Sequence, residues 1–124
     1  MSKSSFVYFL TNKNNTVLYT GVTRNLALRV AEHKAKVRKG FSKRYGIDKL
    51  VYYEVYPTIM QGVSREKQLK NWKREWKNEL IMEDNPSWKD ISSDVGVDDE
   101  WVQAVKKSYE TRKIQKHELN ESWN

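Results

Sequence analysis

The segments FVYFL (6–10) and VLYTG (17–21) decide the fold of this chain, because each has the composition of a β-strand. Aromatic and β-branched residues favour strands, and the asparagine-rich residues 11–16 between the segments favour a turn. We therefore expect an antiparallel hairpin whose loop is slightly longer than the tightest type. Each strand of this hairpin carries one tyrosine, Tyr8 in the first and Tyr19 in the second.

A helix is expected to follow the hairpin. Thr23 or Asn25 can cap its start, and apolar residues then recur at helical spacing. Gly40 is expected to end this helix, because glycine commonly lies just past a helix C-terminus. Residues 41–48 are expected to form a basic loop.

One more strand and a longer helical segment complete the predicted domain. Residues 50–55 (LVYYEV) predict a third strand that Pro57 ends. Residues 62–83 have a helical pattern, and a kink near 72–74 would divide them into two helices. The apolar stripe of this segment consists of Leu69, Trp72, Trp76 and Leu80. The order β-β-α-β-α(-α) predicts an α/β (α+β) sandwich in which helices cover three strands.

The C-terminal segment has a weaker pattern than the rest of the chain. Residues 92–96 are expected to be a linker, and Asp98 can cap a helix from about 99 to 116. The apolar stripe of this helix is thin and consists of Trp101, Val102 and Val105. We therefore divide the chain into a domain at 1–91 and a linker with a helical tail at 92–124. The tail is a candidate surface for a recruiting protein partner.

Length and composition restrict the classes of function. The 124 residues support one domain, and the absence of cysteine excludes disulfides and thiolate zinc sites. No apolar run approaches the roughly 20 residues that span a bilayer. Because the start of the chain also lacks the apolar stretch of a signal peptide, we expect a soluble, cytoplasmic protein with no membrane partner.

Positive charge is concentrated in the first 90 residues, which hold 18 Lys and Arg against 9 Asp and Glu, whereas the remainder holds 5 against 7. Residues 34–49 alone carry seven bases and one acid. Such a patch attracts polyanions through counterion release, although a solvated surface explains the charge almost as well. The bases that we expect to contact nucleic acid are Lys34, Lys36, Arg38, Lys39 and Arg44.

Five side chains have the chemistry of a phosphate-processing site, and each also has an ordinary structural explanation. Arg29 and His33 lie one helical turn apart, and a guanidinium binds phosphate bidentately. Glu66 lies among bases near a helix start, and one carboxylate can hold one Mg²⁺ together with waters and phosphate oxygens. The phenols of Tyr8 and Tyr19 can bind a phosphate oxygen or activate water. Taken singly, a surface arginine, a half-exposed histidine, a helix-start acid and core tyrosines are the commoner outcomes.

Together these residues resemble the GIY-YIG nuclease superfamily, in particular its small single-domain bacterial members. The signature tripeptides are Phe6-Val7-Tyr8 and Tyr19-Thr20-Gly21, and Arg29 and His33 follow at the family's spacing. The likeness spans residues 5–91 and continues through FSKRYG (41–46), LVYYE (50–54), REKQLK (65–70) and NPSWKD (85–90). Phe6 stands where the family has glycine, and Thr20 stands where it has isoleucine.

The resemblance implies a three-stranded antiparallel sheet flanked by helices, and a divalent-metal-dependent endonuclease. It implies that Glu66 ligates one metal ion, Mg²⁺ or Mn²⁺, and that Tyr8 and Tyr19 lie at the attacking water and the scissile phosphate. It also implies that Arg29 stabilises the charged phosphate and that His33 assists. Further active-site candidates by the same resemblance are Asn85, Tyr45 and Lys43.

Three functions remain to be distinguished. The first is an endonuclease that acts on DNA rather than RNA, in DNA repair or in the processing of structured or single-stranded DNA. The second is a non-catalytic nucleic-acid-binding module with the same fold, and the third is a protein-interaction domain that works through its tail. The carboxylate of Glu66 favours the first, because a binding module has no chemical need of it.

Overall fold

A computed structural model describes residues 4–37 and 40–122, with side chains described throughout this range except at 41–42 and 116–122. The strands are β1 (Ser5–Thr11), β2 (Leu18–Thr23) and β3 (Lys49–Tyr56). The helices are α1 (Leu26–Ala35), α2 (Phe41–Tyr45), α3 (Ile59–Lys70), α4 (Arg74–Asp84) and α5 (Asp99–Ser122), and a 3-10 turn covers Ser92–Val95. This α+β architecture confirms the predicted fold class.

The sheet is antiparallel, with β1 in the centre between β2 and β3. Tyr8 pairs with Gly21 and Leu10 pairs with Tyr19, so both tyrosines lie on one face of the hairpin. A β-bulge at Val51 shifts the register between β1 and β3. The bulge turns Leu50 onto the face that carries Tyr8, where it is fully buried.

Each face of the sheet is covered by its own pair of helices. On the face of Tyr8, α1 and α5 bury Leu26, Val30, Val102 and Val105. On the opposite face, α3 and α4 bury Leu69 and Ile81 against Val7, Phe9 and Val51. Because burial of one large aliphatic side chain contributes about 1.5–3 kcal/mol, these two layers hold the helices in place.

The structure corrects the predicted end of the first helix and the segment after it. Asn25 caps α1, its side chain accepting a hydrogen bond from the Leu28 amide at 3.1 Å. The helix ends at Ala35, earlier than Gly40, because Lys36 adopts a left-handed conformation with φ of 55°. The predicted basic loop contains the short helix α2, whose start at Phe41 directly follows Gly40.

The long helical segment is divided into two helices by residues 71–73, as the kink predicted. The first begins at Ile59 rather than Gly62, because Thr58 caps it and accepts from the Gln61 amide. The predicted apolar stripe is wrong at Trp76, which is exposed, whereas Ile81 is fully buried. The three residues between the helices rotate α4 about its own axis relative to α3. A single apolar stripe therefore does not continue across the two helices.

The C-terminal helix extends to Ser122 and packs against α1. Asp98 caps it as predicted, accepting a hydrogen bond from the Trp101 amide at 2.8 Å. Val102 and Val105 are buried in the same core as Tyr8, so α5 is part of the packed structure. Within the described residues, no helix combines the length and apolarity needed to cross a bilayer.

Candidate active site

The tyrosines of the hairpin form the centre of the candidate site. Tyr8 is only 2% exposed, and its ring centroid lies 6.2 Å from that of Tyr19. The side chain of Tyr19 is close enough to the Tyr8 phenol to raise its pKa. On the other side of Tyr19, the His33 ring lies with its centroid 5.7 Å away. The three side chains therefore form a continuous row from the sheet to α1.

The electrostatics of Tyr8 show which charged groups surround it. Burial raises the pKa of the Tyr8 phenol well above its usual value, and the neighbouring Tyr19 raises it further. The positive charge of Arg29 lowers this pKa, whereas the negative charge of Glu66 raises it. Both charged groups are thus close enough to act on the phenol, which remains protonated at neutral pH.

Gly21 makes room for the ring of Tyr8. A Cβ atom at this position would lie 2.5 Å from both Cζ and Oη of the phenol, far inside normal contact distance. Because Gly21 pairs directly with Tyr8 across the hairpin, no larger residue fits without moving the ring. The sequence motif ends in glycine for this steric reason.

Arg29 and His33 share the face of α1 that is directed towards the tyrosines. The side chain of Arg29 is 30% exposed, and its Nη1 atom lies 3.7 Å from Oε1 of Glu32. Glu32 itself is buried and also accepts a hydrogen bond from the Tyr109 hydroxyl of α5. Arg29 is therefore held on one side by an acid while part of its surface remains open to solvent.

Glu66 approaches from α3, on the face of that helix that packs against the hairpin. Gly62 lies one turn earlier, and a Cβ atom there would lie 2.1 Å from Oγ of Ser5 and 3.2 Å from Cγ2 of Val22. This close approach brings Glu66 to the sheet, since residues four apart share a helix face. The side chain of Glu66 is 15% exposed and lies 3.1 Å from Nζ of Lys70.

The carboxylate of Glu66 suits a hard divalent cation that takes most of its ligands from water. Among the side chains that the structure describes, no group of three or more from His, Cys, Asp or Glu could hold a metal ion. Mg²⁺ often binds proteins through one or two carboxylates and completes its shell with water and substrate phosphate. The single carboxylate of Glu66 therefore fits a magnesium-type ion and does not fit a cage made of protein ligands alone.

An ion pair that the sequence did not reveal anchors α3 to β3. Nε and Nη2 of Arg65 donate to the two carboxylate oxygens of Glu54 at 2.8 and 3.1 Å. The hydroxyls of Tyr52 and Tyr56 also donate to this carboxylate. Burial by itself raises the pKa of the Glu54 carboxyl, but these hydrogen bonds outweigh it and lower the pKa.

This anchor bears on the site because Arg65 directly precedes Glu66 in the chain. Tyr52, Glu54 and Tyr56 alternate along β3 and so share a face of the sheet. That alternation is the signal in the sequence from which the cluster could have been recognised.

Two predicted site residues have structural partners away from this cluster. The Asn85 amide donates to the carbonyls of Val51 and Lys89 at 3.1 and 2.8 Å and accepts from the Lys89 amide at 3.0 Å. Lys34 pairs with Asp90, with Nζ and Oδ2 2.6 Å apart. Asn85 therefore ties the loop after α4 to β3. The positive charge of Lys34 is largely compensated by the carboxylate of Asp90.

The other predicted contacts lie on or near α2. The Lys36 side chain is exposed after α1, as are those of Lys43, Arg44 and Tyr45. The guanidinium carbon of Arg44 lies 5.5 Å from the ring centroid of Tyr45. Arg38 and Lys39 fall outside the described residues.

The fold and the site together define a class of small α+β domain in which a hairpin and two helices converge on phenol, guanidinium, imidazole and carboxylate groups. The GIY-YIG catalytic domain is the family whose model matches this chain, over residues 4–79. The chain belongs to the GIY-YIG family.

The chain is also similar to UPF0213 proteins over most of their length. A UPF0213 protein of Staphylococcus haemolyticus is 33% identical over 78 residues, which are 63% of this chain and 94% of the relative. A UPF0213 protein of Clostridium perfringens is 35% identical over 77 residues, 62% of this chain and 82% of the relative. The solution NMR structure of a UPF0213 protein from Bacillus halodurans covers 77% of this chain and 99% of its own, with 20% identity and a TM-score of 0.46.

Proposed function

We propose that this protein is an endonuclease that hydrolyses phosphodiester bonds in DNA with one divalent ion, Mg²⁺ or Mn²⁺. The observation that carries this proposal is the shared environment of Tyr8, on which Tyr19, Arg29 and Glu66 all act. These groups come from the sheet, from α1 and from α3, so their convergence requires the whole fold. Membership of the GIY-YIG family supports the same class of reaction.

Arg29 is the proposed ligand of the scissile phosphate. Hydrolysis concentrates negative charge on the phosphoryl oxygens, and a fixed guanidinium fork stabilises that charge through two parallel hydrogen bonds. The Arg29 side chain is partly exposed, and Nη1 of its guanidinium pairs with Glu32. It can therefore meet a phosphate from solvent without leaving its position.

The two phenols have different proposed roles because their environments differ. Tyr8 is buried and stays protonated, so it can donate a hydrogen bond but cannot take up a proton. Tyr19 is half-buried and lies between Tyr8 and His33. We therefore assign to Tyr19 the orientation of the attacking water through its hydroxyl oxygen, and to His33 the support of its ring.

Glu66 is the proposed metal ligand. A divalent cation held by this carboxylate would supply positive charge next to the phosphate and would lower the pKa of a coordinated water. The ion pair with Lys70 does not prevent this, because Lys70 is 53% exposed and a pair of this kind contributes only about 0.3–0.5 kcal/mol. A cation can therefore displace Lys70 at little cost.

DNA is the proposed substrate, in repair or in the processing of structured or single-stranded forms, and the cytoplasm is the proposed location. The exposed bases Lys36, Lys43 and Arg44 supply contacts to the phosphate backbone. Tyr45 beside Arg44 offers an aromatic face on which an unpaired base can stack.

One observation favours a second candidate, a nucleic-acid-binding module without catalysis. Nζ of Lys70 lies 3.1 Å from Oε1 of Glu66 and so occupies one side of the carboxylate. If Lys70 remains in place when DNA binds, the protein holds its substrate and does not cut it.

A cleavage assay distinguishes the two candidates. Single-stranded, duplex and branched DNA are incubated with Mg²⁺, Mn²⁺ or EDTA. Glu66→Gln and Arg29→Ala are expected to abolish cleavage, whereas the exposed control changes Glu79→Gln and Arg24→Ala are expected to retain it. Cleavage that survives in Glu66→Gln and Arg29→Ala would contradict the proposal. Salt-dependent binding with no cleavage of any substrate would establish the binding module instead.

A further inference from the structure

The C-terminal helix contributes a polar group to a buried carboxylate next to the candidate site. The Tyr109 hydroxyl of α5 donates a hydrogen bond to Oε2 of Glu32 on α1, across a separation of 77 residues. Glu32 is only 3% exposed. A carboxylate buried to this degree requires hydrogen-bonding or charged partners, because burial of an uncompensated charge is costly.

The other oxygen of the same carboxylate faces Arg29. Oε1 of Glu32 lies 3.7 Å from Nη1 of the guanidinium. The contacts therefore run from Tyr109 to Glu32 and from Glu32 to Arg29. The guanidinium carbon of Arg112 lies 5.1 Å from the centroid of the Tyr109 ring. The ring also packs against the core that contains Tyr8.

We propose that Tyr109 and Glu32 are positioning residues for Arg29, so that α5 completes the site. This inference rests on the proposed function, because it takes Arg29 to be the ligand of the scissile phosphate. The family match ends at residue 79, and α5 lies wholly beyond it. The tail thus supplies to the site a contact that lies outside the matched domain.

The physical reason is orientation. An arginine side chain has many rotamers, and the planar fork binds phosphate well only when it is already aligned. An exposed pair three residues apart on a helix holds a guanidinium weakly. Here the carboxylate is buried and its second oxygen is occupied by Tyr109, so Glu32 cannot rotate freely away from Arg29.

The test uses the full chain with Tyr109→Phe, which keeps the ring and removes the hydroxyl. Thr111→Val is the matched control, because it removes from the same helix a hydroxyl that donates to the Lys107 carbonyl at 3.0 Å. The Nε–Hε NMR signal of Arg29, assigned by its absence in Arg29→Ala, reports the environment of the guanidinium. We expect this signal to shift or broaden in Tyr109→Phe and to stay unchanged in Thr111→Val.

The kinetic readout separates positioning from simple packing. We expect kcat for DNA cleavage to fall about tenfold in Tyr109→Phe with KM within about twofold, because a misaligned group costs rate more than binding. Glu32→Gln, which keeps the volume but removes the charge, is expected to lower kcat at least as much. Thermal unfolding is measured for each variant.

An Arg29 signal that is unchanged in Tyr109→Phe would overturn the proposal. A lower Tm with unchanged kcat and an unchanged Arg29 signal would also overturn it, since the hydroxyl would then act on packing alone. If the wild-type protein cuts no DNA, the proposed endonuclease function fails. The NMR comparison still decides whether Tyr109 orients Arg29.

Discussion

Replacement of Gly21 by alanine is expected to damage the site more than its size suggests. The added Cβ would lie 2.5 Å from Cζ and Oη of Tyr8, whereas carbon contacts are optimal at about 3.5–4.0 Å. The ring must therefore move by about 1 Å. Tyr8 is buried in the core, so the movement must displace neighbours in a close-packed interior.

The expected costs follow from this overlap. Overpacking of a core typically destabilises by about 1–3 kcal/mol, and 2 kcal/mol corresponds to a fall in Tm of about 8 °C for a domain of this size. A displacement of 1 Å can cost about 10²-fold in rate. We therefore expect Gly21→Ala to remain folded at 25 °C and to lose about 10²-fold in kcat.

Thermal unfolding by circular dichroism measures the first effect, and cleavage of a fluorescent oligonucleotide measures the second. The control is a Tyr8→Leu background, in which the ring is absent. In this background, the addition of Gly21→Ala should lower the free energy of unfolding by less than about 0.5 kcal/mol. The reasoning is refuted if Gly21→Ala leaves Tm and kcat unchanged. It is refuted equally if the alanine destabilises the Tyr8→Leu background as much as the wild type.

Three further predictions concern contacts around the site. Asn85→Ala should destabilise the fold by about 2–4 kcal/mol in urea unfolding, because it leaves buried backbone groups of β3 and the following loop without partners; a loss below 0.5 kcal/mol would contradict this. The pKa of Glu54 is lowered in the folded state, so its contribution to stability is present above its usual value of 4.5 and is lost as pH falls through the folded pKa. Glu54→Gln should therefore flatten the acid decline of the unfolding free energy, and an unchanged decline would contradict the assignment. In DNA binding, Lys36→Ala should reduce the slope of the logarithm of the binding constant against the logarithm of salt concentration by about 0.9. Lys34→Ala should leave this slope unchanged, because Lys34 is paired with Asp90. Equal effects of the two changes would show that both bases contact phosphate.

The parts of the fold that sequence predicted correctly depend on short-range patterns. The hairpin follows from strand composition on both sides of an asparagine-rich turn, whose Asn12 side chain accepts from the amides of Thr16 and Val17. The break between α3 and α4 at residues 71–73 lies where the helical pattern predicted a kink. Each of these signals acts within a few positions, so it is visible without the rest of the chain.

The errors arise where a local rule meets a competing one. Gly40 predicted the end of α1, but Lys36 ends it by adopting a left-handed conformation that glycine usually occupies. Trp76 belongs to an apolar stripe in the sequence, yet it is exposed. The reason is that α4, after the break, is rotated about its axis relative to α3. Helical spacing predicts a shared face only while the helix is continuous.

The candidate site shows the same contrast between short-range patterns, which the sequence predicts, and contacts that it does not predict. Arg29 and His33 were predicted to share a face because they are four residues apart on one helix. Asn85 was a candidate by resemblance alone, and its amide is occupied by the backbone of Val51 and Lys89. Nothing in the local sequence distinguishes an asparagine that binds a ligand from one that ties two segments together.

The sequence by itself determined the order of the strands and of the helices other than α2, the hairpin, the basic character of residues 1–90 and the family residues, because each is encoded within a few positions. Only the tertiary structure decided that the charge of Glu66 acts on Tyr8, that Glu54 anchors Arg65, and that Tyr109 binds Glu32. These partners are distant in the chain or lie on different elements. They meet because buried faces pack at close range, which no single element specifies.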